Sequence, residues 1–460
     1  MRDGMDRIID LQARIDADWQ SALTKKGHQA TIVGDERNVL QALRTAPELR
    51  GLVRYDEFSL QVEFTRSPPW REAEPGDRWT DDDDTALSAW LQSHGIAVRG
   101  RNVVADCVAV AAKDQCVHPV REYLESLTWD GTERIRKWLV DYLGATGNPK
   151  YLSAVGRCWL ISAVARVMQP GAKADYVLVL ESAQGIRKSM TAATLAVKPE
   201  WFCDSIGDLR TKDAAIQLCG KWIIELAELT SIRGTSQVEA VKAYLSRTHD
   251  VFRPPYGRRA VTIPRQCVFL GTTNERQYLR DRTGNRRFWP VRCTSIDLEQ
   301  FELDRDQLWA EAVAAYQAGE QWWLPSDVEA LAAEEQEGRL YRSELDDMVR
   351  DYLERRAAEG ETEVTTRDVF AYALGLNPES DRYVEQTRKL GYEVAAAIEA
   401  AGWERVGRSG KHPNRRTVYR APGTKSHQDS SIPLRARAYD VKDTPNSLAT
   451  LGDPPPEEWL

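Results

Sequence analysis

No apolar run in this 460-residue chain approaches the roughly 18 residues that a membrane-spanning helix needs. The N-terminal run Met-Arg-Asp-Gly-Met-Asp-Arg lacks the apolar core of a secretion signal, so a cytoplasmic location and no membrane partner are expected. Seven cysteines stand at 107, 116, 158, 203, 219, 267 and 293, with no C-x-x-C pair among them. That spacing supplies no disulfide framework. Cys267, inside Gln-Cys-Val-Phe-Leu, reads as a small hydrophobe. Cys107, Cys116 and His118 are the nearest approach to a metal set, but structural zinc favours closely spaced ligand pairs, so reduced thiols and no zinc are expected. A basic balance is also missing: 62 Lys and Arg against 70 Asp and Glu leave a net charge of -8. That balance argues against a protein coated in nucleic acid, although it leaves room for a basic channel or loop within an acidic oligomer. No internal repeat is evident.

What is present is ordinary globular composition, 42% hydrophobic and 29% charged, in a chain long enough for two to four domains. Apolar positions at helical spacing (Ile8, Ile9, Leu11, Ile15, Trp19) predict an amphipathic helix within residues 1 to 35. Asn38 to Leu49 reads as a second helix, Leu52 to Phe64 as extended, and the stretch around Ser67-Pro-Pro-Trp and Pro75-Gly76 as a loop. Asp81 to Asp84 fit the first turn of a helix, where the dipole stabilises carboxylates. Val103 to Leu143 keeps a helical pattern broken at His118-Pro119 and Trp129-Asp-Gly-Thr.

From about 149 to 325 apolar strands alternate with helical stretches, as in α/β folds. The candidate strands are Tyr176 to Leu180, Trp222 to Leu226, Cys267 to Thr272 and Phe288 to Val291. Val251 to Pro264 reads as a hairpin with a Tyr-Gly-Arg-Arg tip. Pro325 to Ala358 is helical, and helices at 366–374 and 383–401 precede two extended runs, Trp403 to Arg408 and Arg415 to Arg420. Helices followed by a basic two-stranded wing predict a winged-helix-like unit; the wing suits phosphate contacts or plain solvation equally well. The expected organisation is therefore an α/β fold: a helical N-terminal domain (1–148), an AAA+-like P-loop NTPase core (149–325), a helical and winged-helix-like C-terminal region (326–421) and a disordered tail (422–460).

The stretch Tyr176 to Thr191 organises the rest: strand, loop, Lys-Ser, helix is how a phosphate cradle is built. The pattern G-x-x-x-x-G-K-[ST] would place glycine where Ser182 and Arg187 stand. Amides of Gln184, Gly185, Ile186, Arg187, Lys188 and Ser189 would form the cradle, with Lys188 bridging phosphates and Ser189 holding magnesium. Trp222-Ile-Ile-Glu-Leu-Ala-Glu supplies acids: Glu225 for Mg2+ and Glu228 to polarise water, the two roles being exchangeable; two surface acids ending a strand are the plain alternative. Asn274 ends a strand where an amide can sense a γ-phosphate or fix water, or simply turn the chain. Arg286 and Arg287 sit beside a turn, one of them placed to reach a neighbouring subunit's γ-phosphate, or both salt-bridged. The shared order of lysine, acid, asparagine and arginine elements is the strong observation.

Those residues, with Arg253-Pro-Pro-Tyr-Gly257, Gly284-Asn-Arg-Arg-Phe-Trp and the upstream His118-Pro-Val-Arg and Trp129-Asp-Gly-Thr, resemble the virulence-associated E family over about residues 35 to 320. These are P-loop ATPases of phages, prophages and mobile islands, similar to superfamily 3 helicases. The resemblance implies ATP and Mg2+ as cofactors, a homo-hexameric ring with nucleotide between subunits, and a hairpin, Arg253 to Arg265, that grips single-stranded or forked DNA. Arg253, Tyr256, Arg258 and Arg259 would make that grip: a basic tip with an aromatic neighbour can hold phosphates and stack a base. A separate primase or initiator would supply priming. The expected function is an ATP-dependent DNA helicase or translocase serving replication of a phage, prophage or mobile element. The alternative is a nucleotide-gated DNA-binding initiator, regulator or defence component without processive unwinding, which the two missing loop glycines favour.

Overall fold

The structure, a computed structural model, describes residues 19–28, 30–206, 211–227, 235–253, 259–279, 284–341, 343–409 and 416–423. The sequence-predicted helix before Trp19, Glu228, Tyr256, Arg258 and nearly all of the 422–460 tail lie outside these residues. The chain divides into two compact units, 1–342 and 343–460.

The first unit opens with a short ribbon, β1 (Lys25–Lys26) and β2 (Thr31–Ile32), and α1 (Glu36–Thr45), which Asp35 caps by accepting from Asn38 N. β3 (Val53–Asp56) pairs antiparallel with β4 (Gln61–Phe64) and parallel with β5 (Cys116–Val117). Between them run α2 (Asp81–Ser93) and α3 (Arg101–Ala112). The N-terminal region is thus mixed rather than wholly helical. β5 is only two residues long, too short for its periodicity to be read, and it interrupts the stretch from 103 to 143 that looks helical in sequence. The acid run does open α2, but one member does more than meet the dipole. Asp83 is buried, completes a capping box with Thr80, and accepts from Arg71 and Trp70. Burial opposes its ionisation, yet these donors outweigh it and hold the carboxyl down at about 2.

After α4 (Pro119–Ser126), α5 (Trp138–Asp141), β6 (Ala145–Thr146) and α6 (Pro149–Met168), the chain enters the central sheet. Its strands are β7 (Val177–Glu181), β8 (Phe202–Cys203), β9 (Ile223–Ala227), β12 (Val268–Thr273) and β13 (Phe288–Cys293), with α7 (Lys188–Leu195), α8 (Lys212–Gln217) and α9 (Thr235–Leu245) between them. The sheet order is β6-β13-β7-β12-β9-β8, all parallel except β6 at the edge. β7 is buried along its whole length because both faces are covered. Alternation sends Leu178 and Leu180 into the main core with Trp159, Trp222 and Trp309, while Val177 and Val179 join Tyr244 and Phe269 on the other face. Two of the buried indoles find acceptors: Trp159 Nε1 donates to Phe269 O at 3.0 Å and Trp309 Nε1 to Leu195 O at 3.1 Å.

Two further antiparallel strands, β10 (His249–Phe252) and β11 (Val261–Pro264), form the expected hairpin arms. α10 (Leu298–Gln317) and α11 (Ser326–Glu337) then close the first unit. Sequence reading joined 325–358 into one helical stretch and began a new region at 326. In the structure one helix ends at Glu337 and the next begins only at Glu344. Gln336 Nε2 donates to Phe288 O, and Tyr341 N to Leu279 O at 2.7 Å, so α11 and the strap after it belong with the sheet.

The second unit holds α12 (Glu344–Ala358), capped by Ser343 and Asp346, then β14 (Glu363–Thr365), a helical turn over 366–373 and α13 (Asp381–Ala400). β15 (Glu404–Ser409) and β16 (Arg416–Arg420) complete an antiparallel sheet in the order β14-β16-β15. Val349, Leu353, Val394, Ile398, Trp403 and Tyr419 form its core.

Candidate functional site

The loop 182–187 leaves the carboxyl end of β7, the strand that lies between β12 and β13 although both come later in the chain. Open parallel sheets place their ligand crevice outside the carboxyl ends of the strands where the strand order reverses, and that is this position. Gly185 takes φ +91°, and Arg187, the residue before Lys188, takes φ 71° and ψ 30°. A left-handed backbone at 187 explains why glycine is the undemanding residue there; an arginine holds it with strain. Arg187 and Gln184 are exposed, and Ile186 packs on the main core, tethering the loop.

Lys188 begins α7 yet is only 8% exposed. Its Nζ donates to Ser182 Oγ at 2.7 Å, Asn274 Oδ1 at 2.9 Å, Ala183 O at 3.2 Å and Ser182 O at 3.4 Å. Burial pushes its pKa down from the ordinary lysine value, opposed by Cys293 and Glu225. Ser189 Oγ donates to Glu225 Oε1 at 2.6 Å, and Thr272 Oγ1 donates to the same oxygen at 2.7 Å. Glu225 is 2% exposed. The reason for this convergence is register: Glu225 on β9 stands opposite Leu270 on β12, two residues short of Thr272, while Thr273 stands opposite Glu181, the last residue of β7.

Lys188, Ser189, Glu225 and Asn274 therefore meet, although they span 86 positions of sequence. A hydroxyl and a carboxylate in contact, with a cation beside them, fit a hard divalent ion that takes its remaining ligands from water and phosphate. Among the described residues no group of three His, Cys, Asp or Glu side chains is arranged to hold a metal by itself.

Arg286 and Arg287 are not part of this cluster. They precede β13, whose Phe288 pairs with Val177 at the opposite end of β7. The four residue steps from Val177 to Glu181, at about 3.3 Å each, separate the two ends by about 13 Å. The two arginines also differ. Arg287 is engaged, its Nε donating to Ser246 Oγ at 3.0 Å with Asp175 at 3.6 Å. Arg286 is exposed and lines a cleft of about 330 Å³ with Lys173, Asp175, Tyr176, Trp289 and Glu329.

On the hairpin, Arg253 and Arg259 are exposed at the inner ends of the arms. Arg265 is not exposed with them. It is buried at the base, where Nε and Nη2 donate to Asp250 at 2.9 and 2.7 Å and Nη1 donates to Tyr244 O. A second buried arginine, Arg166, donates to Arg265 O and Ala174 O.

Sequence reading missed Thr272, the Ser182 hydroxyl, the Asp250–Arg265 anchor and a buried group behind the loop. In that group Glu181 accepts from Tyr278 OH at 2.7 Å and from Arg339 Nε at 2.9 Å. Strand alternation could have found Thr272. No local signal points to Arg339, which lies 158 residues from its partner.

Residues 124–341 match the family description Virulence-associated protein E-like domain. Among solved structures, the chain is similar to the apo structure of the NrS-1 C terminal region (305-718), with 13% identity, a TM-score of 0.42, and coverage of 84% of this chain and 99% of that one. The A form apo structure of the same region gives 12% identity and a TM-score of 0.42, covering 84% and 99%. No curated protein matches.

Proposed function

We propose, on the premise that residues 124–341 form a virulence-associated protein E-like domain, that this chain is an ATP-dependent DNA helicase or translocase. It would serve replication of a phage, prophage or mobile element. One observation carries the reading: Lys188 Nζ, the Ser189–Glu225 contact and Asn274 meet at the carboxyl ends of the adjacent strands β7, β12 and β9. In this reading residues 149–325 are an AAA+-like P-loop core and the second unit is winged-helix-like.

Lys188 would hold the β- and γ-phosphates, and the loop amides from Gln184 to Ser189 would cradle them. Ser189 and Glu225 would hold Mg2+, which neutralises developing phosphate charge when bound. Thr272 fixes the Glu225 carboxylate. Glu228, which follows β9 in sequence, would orient water, and Asn274 would sense the γ-phosphate. Arg286, exposed at the opposite end of the sheet, suits a contact in trans better than the engaged Arg287; a neighbouring copy would receive it, and the family resemblance implies a homo-hexameric ring of copies. Priming would come from a separate primase or initiator.

The test is ATP turnover with and without single-stranded or forked DNA. Glu225→Gln is expected to keep ATP binding while turnover falls on the order of a hundredfold, because the carboxylate charge on the metal is gone. ATPase that DNA does not stimulate, with no strand displacement, would instead support the nucleotide-gated DNA-binding reading. The left-handed Arg187 favours that second reading, since strain in the loop opposes rapid cycling.

The hairpin has its own test. Arg258→Ala with Arg259→Ala is expected to weaken single-stranded DNA binding and to lower the salt slope by about 1.4, two phosphates at about 0.7 each. An unchanged slope would remove the hairpin from the interface.

A further inference from the structure

Lys188 has three N–H donors, and four oxygens surround them. The ammonium is saturated, so a phosphate can gain a bond from it only by displacing one already made. Two of the four acceptors, Ser182 O and Ala183 O, are main-chain atoms that any loop sequence would offer. Asn274 Oδ1 is a side chain from β12's exit. The shortest contact is to Ser182 Oγ, at the position where the phosphate-loop pattern places a glycine with no side chain. That hydroxyl is itself oriented, donating to Ala183 O at 2.8 Å, so its lone pairs face the ammonium.

We propose that Ser182 sets the nucleotide affinity of this site: its hydroxyl latches Lys188 against the loop and competes with the incoming phosphate. The inference rests on the nucleotide-site reading above and deepens it. Ser182 is a positioning residue that acts through Lys188. Because it restrains the free protein and not the chemical step, its removal changes the concentration of ATP required and leaves the turnover number alone. A hydrogen bond to a charged group contributes more than a neutral one, but water and phosphate replace most of it, so the expected change in affinity is about three- to tenfold.

The experiment uses the full chain with a non-hydrolysable ATP analogue and Mg2+. Ser182→Ala and Ser182→Gly are expected to bind the analogue about three- to tenfold tighter than wild type, with KM lowered by the same factor and kcat unchanged. Ser182→Thr, which keeps the hydroxyl, should behave as wild type. Without nucleotide, labelling of Lys188 by an amine-reactive reagent should rise in the Ala and Gly variants and not in the Thr variant. Equal or weaker analogue binding by the Ala and Gly variants, in a wild type that binds, would overturn the latch. A wild type that binds no nucleotide would overturn the site reading itself and this inference with it.

Discussion

Lys188→Ala is expected to lower ATP affinity by on the order of a hundredfold, with hydrolysis falling below detection. Loss of charge-assisted bonds to phosphate, worth about 1.5–3 kcal/mol each, accounts for a drop of that size. The fold should survive. The ammonium is held by oxygens at the rim of the loop, and those oxygens can take up water once it is gone. The Ser189–Glu225 and Thr272–Glu225 contacts do not involve it. Lys188→Arg should not rescue, because a planar guanidinium cannot fill a pocket built around one tetrahedral nitrogen. Titration of a fluorescent ATP analogue beside an unfolding curve separates the two effects. Near wild-type affinity in Lys188→Ala would remove this loop from consideration as the nucleotide site.

The second large effect is expected far from the loop. Asp250→Ala should destabilise the first unit by about 3–5 kcal/mol, since it leaves the Arg265 guanidinium buried without its carboxylate. Arg265 is 3% exposed and Asp250 6%, and the two share a bidentate pair at 2.7 and 2.9 Å. Burial works against the arginine's charge, and Asp250 overcomes it, holding the pKa above the ordinary value. The guanidinium also lies 4.4 Å from the Tyr244 ring centroid, a contact that does not replace a carboxylate. Urea unfolding is the measurement. A companion variant, Asp250→Leu with Arg265→Met, should recover much of the loss by removing both charges together. If Asp250→Ala unfolds at the wild-type midpoint, the pair does not anchor the hairpin. This anchor has a functional consequence, because the arms that carry Arg253 and Arg259 rise from β10 and β11, whose base it holds.

The strands of the central sheet were legible because each is an apolar run bounded by turn residues: Tyr176 to Leu180 became Val177–Glu181, and Cys267 to Thr272 became Val268–Thr273. Small strands such as Cys116–Val117 were not, since two residues carry no period. The strap after α11 was also hidden, because its bonds to Leu279 depend on a partner some sixty residues away.

Within the candidate site, local chemistry alone determined the loop, its lysine and serine, the acid strand and the asparagine: each is a residue type at a fixed offset from a strand end. Tertiary structure decided everything that depends on which strands lie side by side. Parallel register brought Thr272 and Ser189 onto one oxygen of Glu225 and carried Arg286 and Arg287 to the far end of β7. It also made Arg265, the last residue of the hairpin, a buried anchor, and made the two departures at 182 and 187 distinguishable. Ser182 touches the lysine, whereas Arg187 bends the backbone and points outward. Sequence spacing cannot carry such information, because strand order and burial are properties of the packed sheet and not of any one segment.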